Sequence, residues 1–530
     1  MFKPIQRENH ERRGMVLLAV LVIVVLLSLA AYQYSDLMLS EYKAVVNAHR
    51  SAQSKAWADS GIHYAAAAIS NPNVVTGLNG NIFDNPDAFS NIAVGDEGKL
   101  MGRFTLIAPP DPDSGSTTWR HGFTDEAGKI NVNAFMKRDP SGQQLYDALM
   151  KLPNMTQEDA ARIVDWLDVD SDPRQGGGEN EYYSAAQLPY RCKNGPIDTI
   201  GELLLVVSRE VLYGNDLNGN GIQDPDETAD LDGFQRGLSA YLTVYSREPN
   251  TDKQGQALAY VNETDLQAYY EKLASGVSED MAKFLIMYRQ YGASNSSGQQ
   301  LSLTQTITSV FILKISSSTS TTKTIKGDLG AWQPDFNKKA NQKITSFFDL
   351  VNAQVSIPGK STKDAKGKTT QAPATVYDSP LKDKNQQREL FTKMFEHVTI
   401  FEESDIPARI NVNTAPREVL IAIPEITETD VEAILAQRPK VSATTAPDPV
   451  YETPAWLLTE ANLKTDTLKK LEKYITTKSQ VYRVQALGYS DSGAGPTARI
   501  EAVIDTNFGR PRIVMWRDLT ELGTTKMLRP

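Results

Sequence analysis

The residues best placed to do chemistry are oxygen donors. Asp216-Leu217-Asn218-Gly219-Asn220-Gly221-Ile222-Gln223-Asp224-Pro225-Asp226-Glu227 matches D-x-[DN]-x-[DN]-G-x5-E across its whole length. Calcium takes about six to eight oxygens in flexible geometry. Asp216, Asn218 and Asn220 offer side chains, Ile222 its backbone carbonyl, Asp224 a contact through water, and Glu227 two oxygens, with Gly221 permitting the sharp turn. Two neutral amides among the donors point to a structural Ca²⁺ rather than a sensing one. The competing reading is a solvated Asn/Gly/Asp turn. A second acidic run holds Asp165, Asp168, Asp170, Asp172, Glu179 and Glu181. Acids after a helix C-terminus oppose its dipole. Either solvent with Arg174 and Arg191 offsets that, or a cation held by Asp168, Asp170, Asp172 and Glu179 does. Catalytic patterns are missing: the five histidines make no H-E-x-x-H, and there is no G-x-S-x-G, Walker loop or G-x-G-x-x-G after a strand. The chain reads as non-enzymatic. His121 reads as a turn residue, and Cys192 as a small hydrophobe in the Tyr190–Asn194 loop.

The element that must position these groups begins at the N-terminus. Lys3, Arg7, Arg12 and Arg13 precede Gly14, and an uncharged apolar run follows from Met15 to Ala31. As a helix it spans roughly 26 Å, close to the hydrocarbon thickness of a bilayer. The basic flank places the first residues in the cytoplasm and the bulk of the chain outside. Three readings compete: a cleaved secretory signal with Ser28-Leu29-Ala30 as its site, a plain anchor, and a prepilin-type leader cut after Gly14 that leaves Met15 as the first mature residue. Neither Gly nor Pro occurs from Met15 to Ser60, and Met38, Tyr42, Val45, His49, Ala52 and Ala56 recur at helical spacing. This predicts a single helix of about 45 residues, half in lipid. A cleaved signal hands over to a turn instead. Arg12-Arg13-Gly14-Met15 before the apolar run resembles a prepilin peptidase site.

With 530 residues the chain exceeds what one core supports, so several domains are expected. Hydrophobic residues at 40% and charged residues at 23% exclude a disordered, collagenous or polytopic membrane protein. A net charge of −10 disfavours nucleic acid, and a single cysteine excludes an intrachain disulfide. An internal repeat organises the middle. Ile130-Asn131-Val132-Asn133 recurs as Ile410-Asn411-Val412-Asn413, and Leu152-Pro153-Asn154-Met155-Thr156 as Ile423-Pro424-Glu425-Ile426-Thr427. A looser third copy starts at Tyr260-Val261-Asn262 and continues through Ser278-Glu279-Asp280. Each reads as helix, tight turn, helix, with Thr156, Ser278 or Thr427 as N-cap. The helix-hairpin-helix pattern serves DNA binding elsewhere, but two of these hairpins lack glycine and one carries an acid, so packing units are expected. Ser316–Lys326 and Pro358–Asn385 read as linkers. Gly102–Ala108, Val481–Leu487, Ala498–Ile504 and Arg512–Trp516 read as strands, the later ones forming an antiparallel sheet with one polar face.

Several segments, in order, resemble the minor pseudopilin K family of type II secretion systems. They are the Gly14 site, Asp125-Glu126-Ala127-Gly128-Lys129-Ile130-Asn131-Val132-Asn133, Val164-Asp165-Trp166-Leu167-Asp168-Val169-Asp170, Asn194-Gly195-Pro196-Ile197-Asp198, Glu202–Val206, Leu242–Ser246 and Ile410–Leu420. The resemblance implies an α+β fold: a pilin-like N-terminal helix and antiparallel sheet, with a large, mainly helical domain inserted. It also implies a place at the pseudopilus tip beside other minor pseudopilins, and calcium in the helical domain. Most pilins and pseudopilins carry glutamate fifth in the mature chain; here that residue is Ala19. Residues 251–400 depart from the family by separating segments that are normally close.

The expected organisation is a leader over 1–14, a transmembrane stem over 15–60 and the first part of the sheet over 61–120. A helical domain with the calcium loop follows over 121–250, an extra helix pair with polar linkers over 251–400, a second helix pair over 401–473 and the closing sheet over 474–530. The expected function is a minor pseudopilin that initiates or caps a pseudopilus for protein export. It would be processed by prepilin peptidase at Gly14 and Met15 and methylated, and held in the inner membrane with its bulk in the periplasm. Its partners would be other minor pseudopilins, without nucleic acid. The alternatives are a calcium-binding adhesion protein with a signal peptide and a DNA-uptake pilus accessory protein.

Overall fold

A computed structural model describes residues 11–71, 77, 81–95, 102–114, 118–185, 189–221, 227, 236–252, 254–294, 324–363, 369–439, 448–491, 495–507 and 509–522. The first element follows from the unbroken run of helix-compatible residues. Helix α1 (Glu11–Ser70) is 60 residues long, and its apolar N-terminal part is fully exposed and long enough to cross a membrane. The sequence predicts an end near Ser60, yet the helix continues through Gly61. A Cβ there would stand 3.0 Å from both Ala486 and Phe104, so the glycine lies where helix and sheet come closest. The stripe from Met38 to Ala56 faces away from the chain's own core, and all six of its residues are exposed. The face that packs inward carries Ser54, Ala58, Ile62 and Ala65 instead.

Small residues at Ser54, Ala58, Gly61 and Ala65 let α1 lie close on a six-stranded antiparallel sheet. Its strands are β1 (Ile92–Val94), β2 (Gly102–Ile107), β3 (Thr124–Asp125), β4 (Val481–Ser490), β5 (Ala498–Asp505) and β6 (Arg512–Asp518). The order is β1-β2-β4-β5-β6, with β3 also paired to β4. Gln485 opposes Ile107 on one side, and Val481 opposes Asp505 on the other. The face toward α1 is apolar, with Leu106, Ala486, Ile500, Ala502 and Ile504 in one cluster with Ala58 and Ile62. The opposite face is polar, as period-two alternation requires, but it is not solvated: Gln485, Arg499 and Glu501 are buried. The helical part of the chain covers it, and the polar groups pair with one another and with that cover.

Between β3 and β4 lie three copies of one unit. In the first, α2 (Gln143–Leu149) and α3 (Gln157–Leu167) are joined by the Leu152–Thr156 turn. In the second, α4 (Leu266–Gly276) leads to α5 (Glu279–Tyr291), and in the third α6 (Arg417–Ala422) leads to α7 (Glu428–Gln437). The three N-caps stand as predicted: the hydroxyls of Thr156, Ser278 and Thr427 accept from the backbone N–H groups of Asp159, Met281 and Asp430. Helix α8 (Thr465–Leu471) lies later in the third unit, ahead of its closing strand.

Each unit is also tied off in the same way. Ile130–Asn131 pairs in parallel with Leu242–Thr243, Ala259–Tyr260 with Val398–Thr399, and Ile410–Asn411 with Ile475–Thr476. A parallel pair needs a long crossover, and here the whole unit is that crossover. Residues 259–399 are therefore a full copy. Pro358–Asn385, expected as linker, instead supplies Ser361–Lys363, Thr369–Gln371 and Thr375–Asp378 as strands, with Tyr377 and Leu381 buried. Most of Ser316–Lys326 lies outside the described residues; Ile325–Lys326 pairs with Thr375–Val376. One hydrophobic core runs through all three units, joining Leu149 and Trp166 to Phe284 and Phe391 and to Leu420 and Trp456.

Candidate functional site

The two acidic clusters both sit in the first unit and the chain that follows it. Helix α3 ends at Leu167, and Asp168 caps it in an extended conformation. Asp165, one turn earlier, is fully buried and accepts from the backbone N–H of Arg174 at 3.1 Å and of Gly178 at 2.9 Å. These bonds fold the 168–179 loop back over the helix end. Gly177 is needed for that approach, because a Cβ there would lie 1.9 Å from Asp165 Oδ2.

The fold-back brings Asp168, Asp170 and Glu179 together, each offering a carboxylate oxygen within 4.8 Å of the others. Asp168 and Glu179 are buried and Asp170 is exposed. Burial, and then the charges of Asp170, Asp165 and Glu179, push Asp168 up to about 7. Burial also raises Glu179. The Oδ1 of Asp168 is buried without a hydrogen-bond partner among the described residues. Asp172 is not brought in; it is exposed, and its backbone N–H donates to Asp170 Oδ1 at 2.9 Å. Asn194, in a left-handed conformation, holds the loop from the far side by donating to the Asp170 carbonyl. Its role is not readable from spacing, since it lies 24 residues away. Cys192 is half-buried, and burial pushes its thiol up to about 12, consistent with a packed hydrophobe.

In the 216–227 loop the structure brings Asp216, Asn218, Asn220 and Glu227 together. Asp216 accepts from the N–H groups of Asn220 at 3.1 Å and Gly221 at 2.6 Å. Asn218 Oδ1 accepts from Asn220 N–H at 2.9 Å, and Glu227 Oε1 from Asn218 N–H at 3.0 Å. Gly219 and Gly221 both take positive φ, as a tight oxygen-lined turn requires. Burial, with a contribution from Glu227, pushes Asp216 up to about 6. Ile222 and Asp224 lie outside the described residues. The loop is seated on the polar face of the sheet: the Asn220 carbonyl accepts from Gln485 at 2.8 Å and from Arg499 at 2.6 Å.

A third polar group joins the sheet to the first unit. Arg483 of β4 donates to Glu126 at 2.8 Å and lies 3.1 Å from Glu501. Burial alone would raise Glu126, but Arg483 and Lys129, with hydrogen bonds from Arg483 and Thr243, hold it at about 2. Gly14 and Met15 lie in the first turns of α1, and Met15 is exposed.

The family models described as type II secretion system (T2SS), protein K match residues 128–211 and 410–478. The first match holds α2, α3 and the Asp168 cluster; the second spans the third unit and its closing strand. A curated relative, "Type II secretion system protein K" of Klebsiella pneumoniae, is 27% identical over 215 residues, covering 38% of this chain and 60% of that relative. A chain in the crystal structure of the GspK-GspI-GspJ complex from enterotoxigenic Escherichia coli type 2 secretion system aligns over 91% of this chain and 99% of its own, with 12% identity and a TM-score of 0.34. Over residues 128–211 and 410–478, in chain order and on the segments that carry the sequence motifs, this chain is similar to type II secretion system protein K.

Proposed function

We propose that this chain is a minor pseudopilin of a type II secretion system, held in the inner membrane by Met15–Ala31 with its bulk in the periplasm. The observation that carries the reading is α1. It is one continuous helix with a bare apolar N-terminal part, a further exposed stripe from Met38 to Ala56, and a C-terminal part seated on an antiparallel sheet. A helix that exposes apolar side chains beyond the membrane-crossing length needs neighbouring helices to cover them. Other minor pseudopilins are the partners we assign to that stripe. Ala19 leaves no carboxylate in lipid that would require an ammonium from a subunit above. Together with the bulk of three units packed on one core, this favours a tip position that initiates or caps assembly. Cleavage after Gly14 by prepilin peptidase and methylation of the Met15 amine complete the reading. Intact mass of the mature chain tests it: an N-methylated start at Met15 is expected, whereas a start at Ala31 or Tyr32 would return the protein to an exported adhesion protein.

The same reading includes structural Ca²⁺ at two places. The donors fit, being hard oxygens: Asp168, Asp170 and Glu179 at one site, with a buried, unpartnered oxygen on Asp168, and Asp216, Asn218, Asn220 and Glu227 at the other. A bound cation would neutralise crowded carboxylates and fix both loops.

A further inference from the structure

Between the first and third units runs a cleft of about 850 Å³. Its walls are the end of α2 with Lys151, the turn Pro424–Glu425, and the α8 end with Lys469, Lys470 and Lys473. Four lysines thus face two carboxylates, Asp147 and Glu425, in a chain whose net charge is −10. Two of the lysines already hold carboxylates: Lys470 meets Glu425 at 2.8 Å, and Lys469 meets Asp349 at 3.3 Å. Lys151 donates only to the Ile423 carbonyl, at 3.5 Å, and Lys473 lies over the Tyr474 ring. Neither has a carboxylate within 4 Å among the described residues. Burial lowers the Lys151 ammonium from its ordinary value, so an anion beside it would restore lost solvation.

We infer that this cleft is a docking site for an acidic polypeptide segment, one that presents several carboxylates in succession. The lysines stand on two walls, Lys151 on the α2 side beside Ile423 and Lys469, Lys470 and Lys473 on the α8 side with separate partners, which suits a chain that presents successive carboxylates better than a single small anion. A nucleic acid fits less well. Pro153 and Pro424 remove backbone N–H donors from the two turns that would face phosphate, and Glu425 sets a carboxylate there in a left-handed conformation. The pairing of Glu425 with Lys470 also makes Glu425 an internal competitor for the site. The inference is independent of the stem, and its failure would leave the pseudopilin reading in place.

The test uses the full chain in detergent micelles and a fluorescein-labelled ten-residue oligoglutamate followed by anisotropy. Saturable binding that weakens with salt is expected. Lys151→Gln and Lys473→Gln should each weaken it about fivefold, the value of one contact-distance charge pair in water, whereas Glu425→Gln should tighten it by a similar factor. The gain from Glu425→Gln keeps the test decisive if a lysine variant misfolds. Absence of binding, or binding indifferent to all three changes, would overturn the inference. Displacement of the peptide by a duplex of equal charge at lower concentration than by unlabelled oligoglutamate would overturn it in favour of nucleic acid.

Discussion

Replacing Arg483 by Met removes the guanidinium that bridges Glu126 and Glu501 and keeps most of the side chain's length. Glu126 is fully buried and Glu501 nearly so, and Arg483 reaches them at 2.8 and 3.1 Å. Two independent routes give the size of the effect. Removing one partner of a buried ion pair costs about 3–5 kcal/mol, because the remaining charge stays buried without its counter-ion. Glu126 is held at about 2 against an ordinary 4.5 by Arg483 and Lys129 together, against its burial; at about 1.4 kcal/mol per unit the net stabilisation is on the order of 3 kcal/mol, the same range. Lys129, 3.4 Å from Glu126, softens the loss. Burial, opposed by Glu126 and assisted by Arg483, lowers Lys129; taking Arg483 away removes that last repulsion. The lower end of the range is therefore expected, about 3 kcal/mol at pH 7.

The pH dependence sharpens this prediction. Glu126 is depressed in the folded state, so its stabilising contribution is complete above its unfolded value near 4.5 and is lost as pH falls through about 2. The gap between wild type and Arg483→Met should be widest at neutral pH and should narrow steadily below pH 4.5. Urea titrations of the detergent-solubilised chain, read by far-ultraviolet circular dichroism at pH 7, 4.5 and 3, measure it. A gap under about 1 kcal/mol at pH 7 would refute the argument, as would a gap that does not shrink in acid.

Gly488→Ala should unseat the stem, because a Cβ would stand 2.1 Å from the Ser54 carbonyl and 2.4 Å from Ala58 N; a loss of about 1–3 kcal/mol is expected, with faster proteolysis between α1 and β4 as the readout. Glu472 is fully buried, and burial pushes it up to about 7 despite bonds from Ser346 and the Phe347 N–H. The folded state then holds a proton the unfolded chain has lost, so stability falls as pH rises from about 4.5 to 7, and Glu472→Gln should flatten that stretch of a melting-temperature profile. For calcium, chelation should destabilise the chain by about 2.7 kcal/mol when the free ion had stood at 100 times its Kd, and Asp168→Asn should abolish part of that response; a calorimetric transition indifferent to chelator would remove both cation assignments. Gly177→Ala should impair the Asp168 site alone, since its Cβ would collide with Asp165 Oδ2, leaving the 216–227 response intact.

Much of this was legible in the residues themselves. Apolar runs and period-two alternation located α1, β2, β4, β5 and β6, and the Thr and Ser caps located the second helix of every unit. The remainder was hidden for identifiable reasons. The closing strands Leu242–Thr243, Val398–Thr399 and Ile475–Thr476 are two residues long, too short for any periodicity. The 358–385 stretch splits its strands between a two-stranded ladder (361–363 with 369–371) and a three-stranded sheet that takes in 375–378, each too short for periodicity, so composition alone resembles a linker. The polar face of the main sheet reads as solvent-facing, since alternation reports which side differs and not what covers it. At the acidic cluster, charge density grouped Asp172 with Asp168, Asp170 and Glu179, whereas the fold uses Asp165 to shape the loop and leaves Asp172 outside. Neither Arg483 nor Asn194 carries a local pattern, because their partners are hundreds or tens of residues distant.

The shared plan of the three units explains how residues 259–399 fit between the other two without disturbing them. Each unit begins and ends on one short parallel ladder, so its entry and exit points are adjacent. A copy inserted between two others therefore leaves the flanking chain where it was. The added unit does not stand as a separate domain, because a single helix pair cannot bury its apolar face alone. It shares one core with its neighbours, with Phe284 and Phe391 in the same cluster as Trp166 and Trp456. The second unit thus enlarges the helical part of the chain while the stem's own cluster with the sheet stays separate from it. Removing the second unit by joining Asn250, whose N–H already bonds the Ser404 carbonyl at 3.0 Å, to Ser404 through a short turn should spare the stem's seat while exposing the apolar faces of the first and third units.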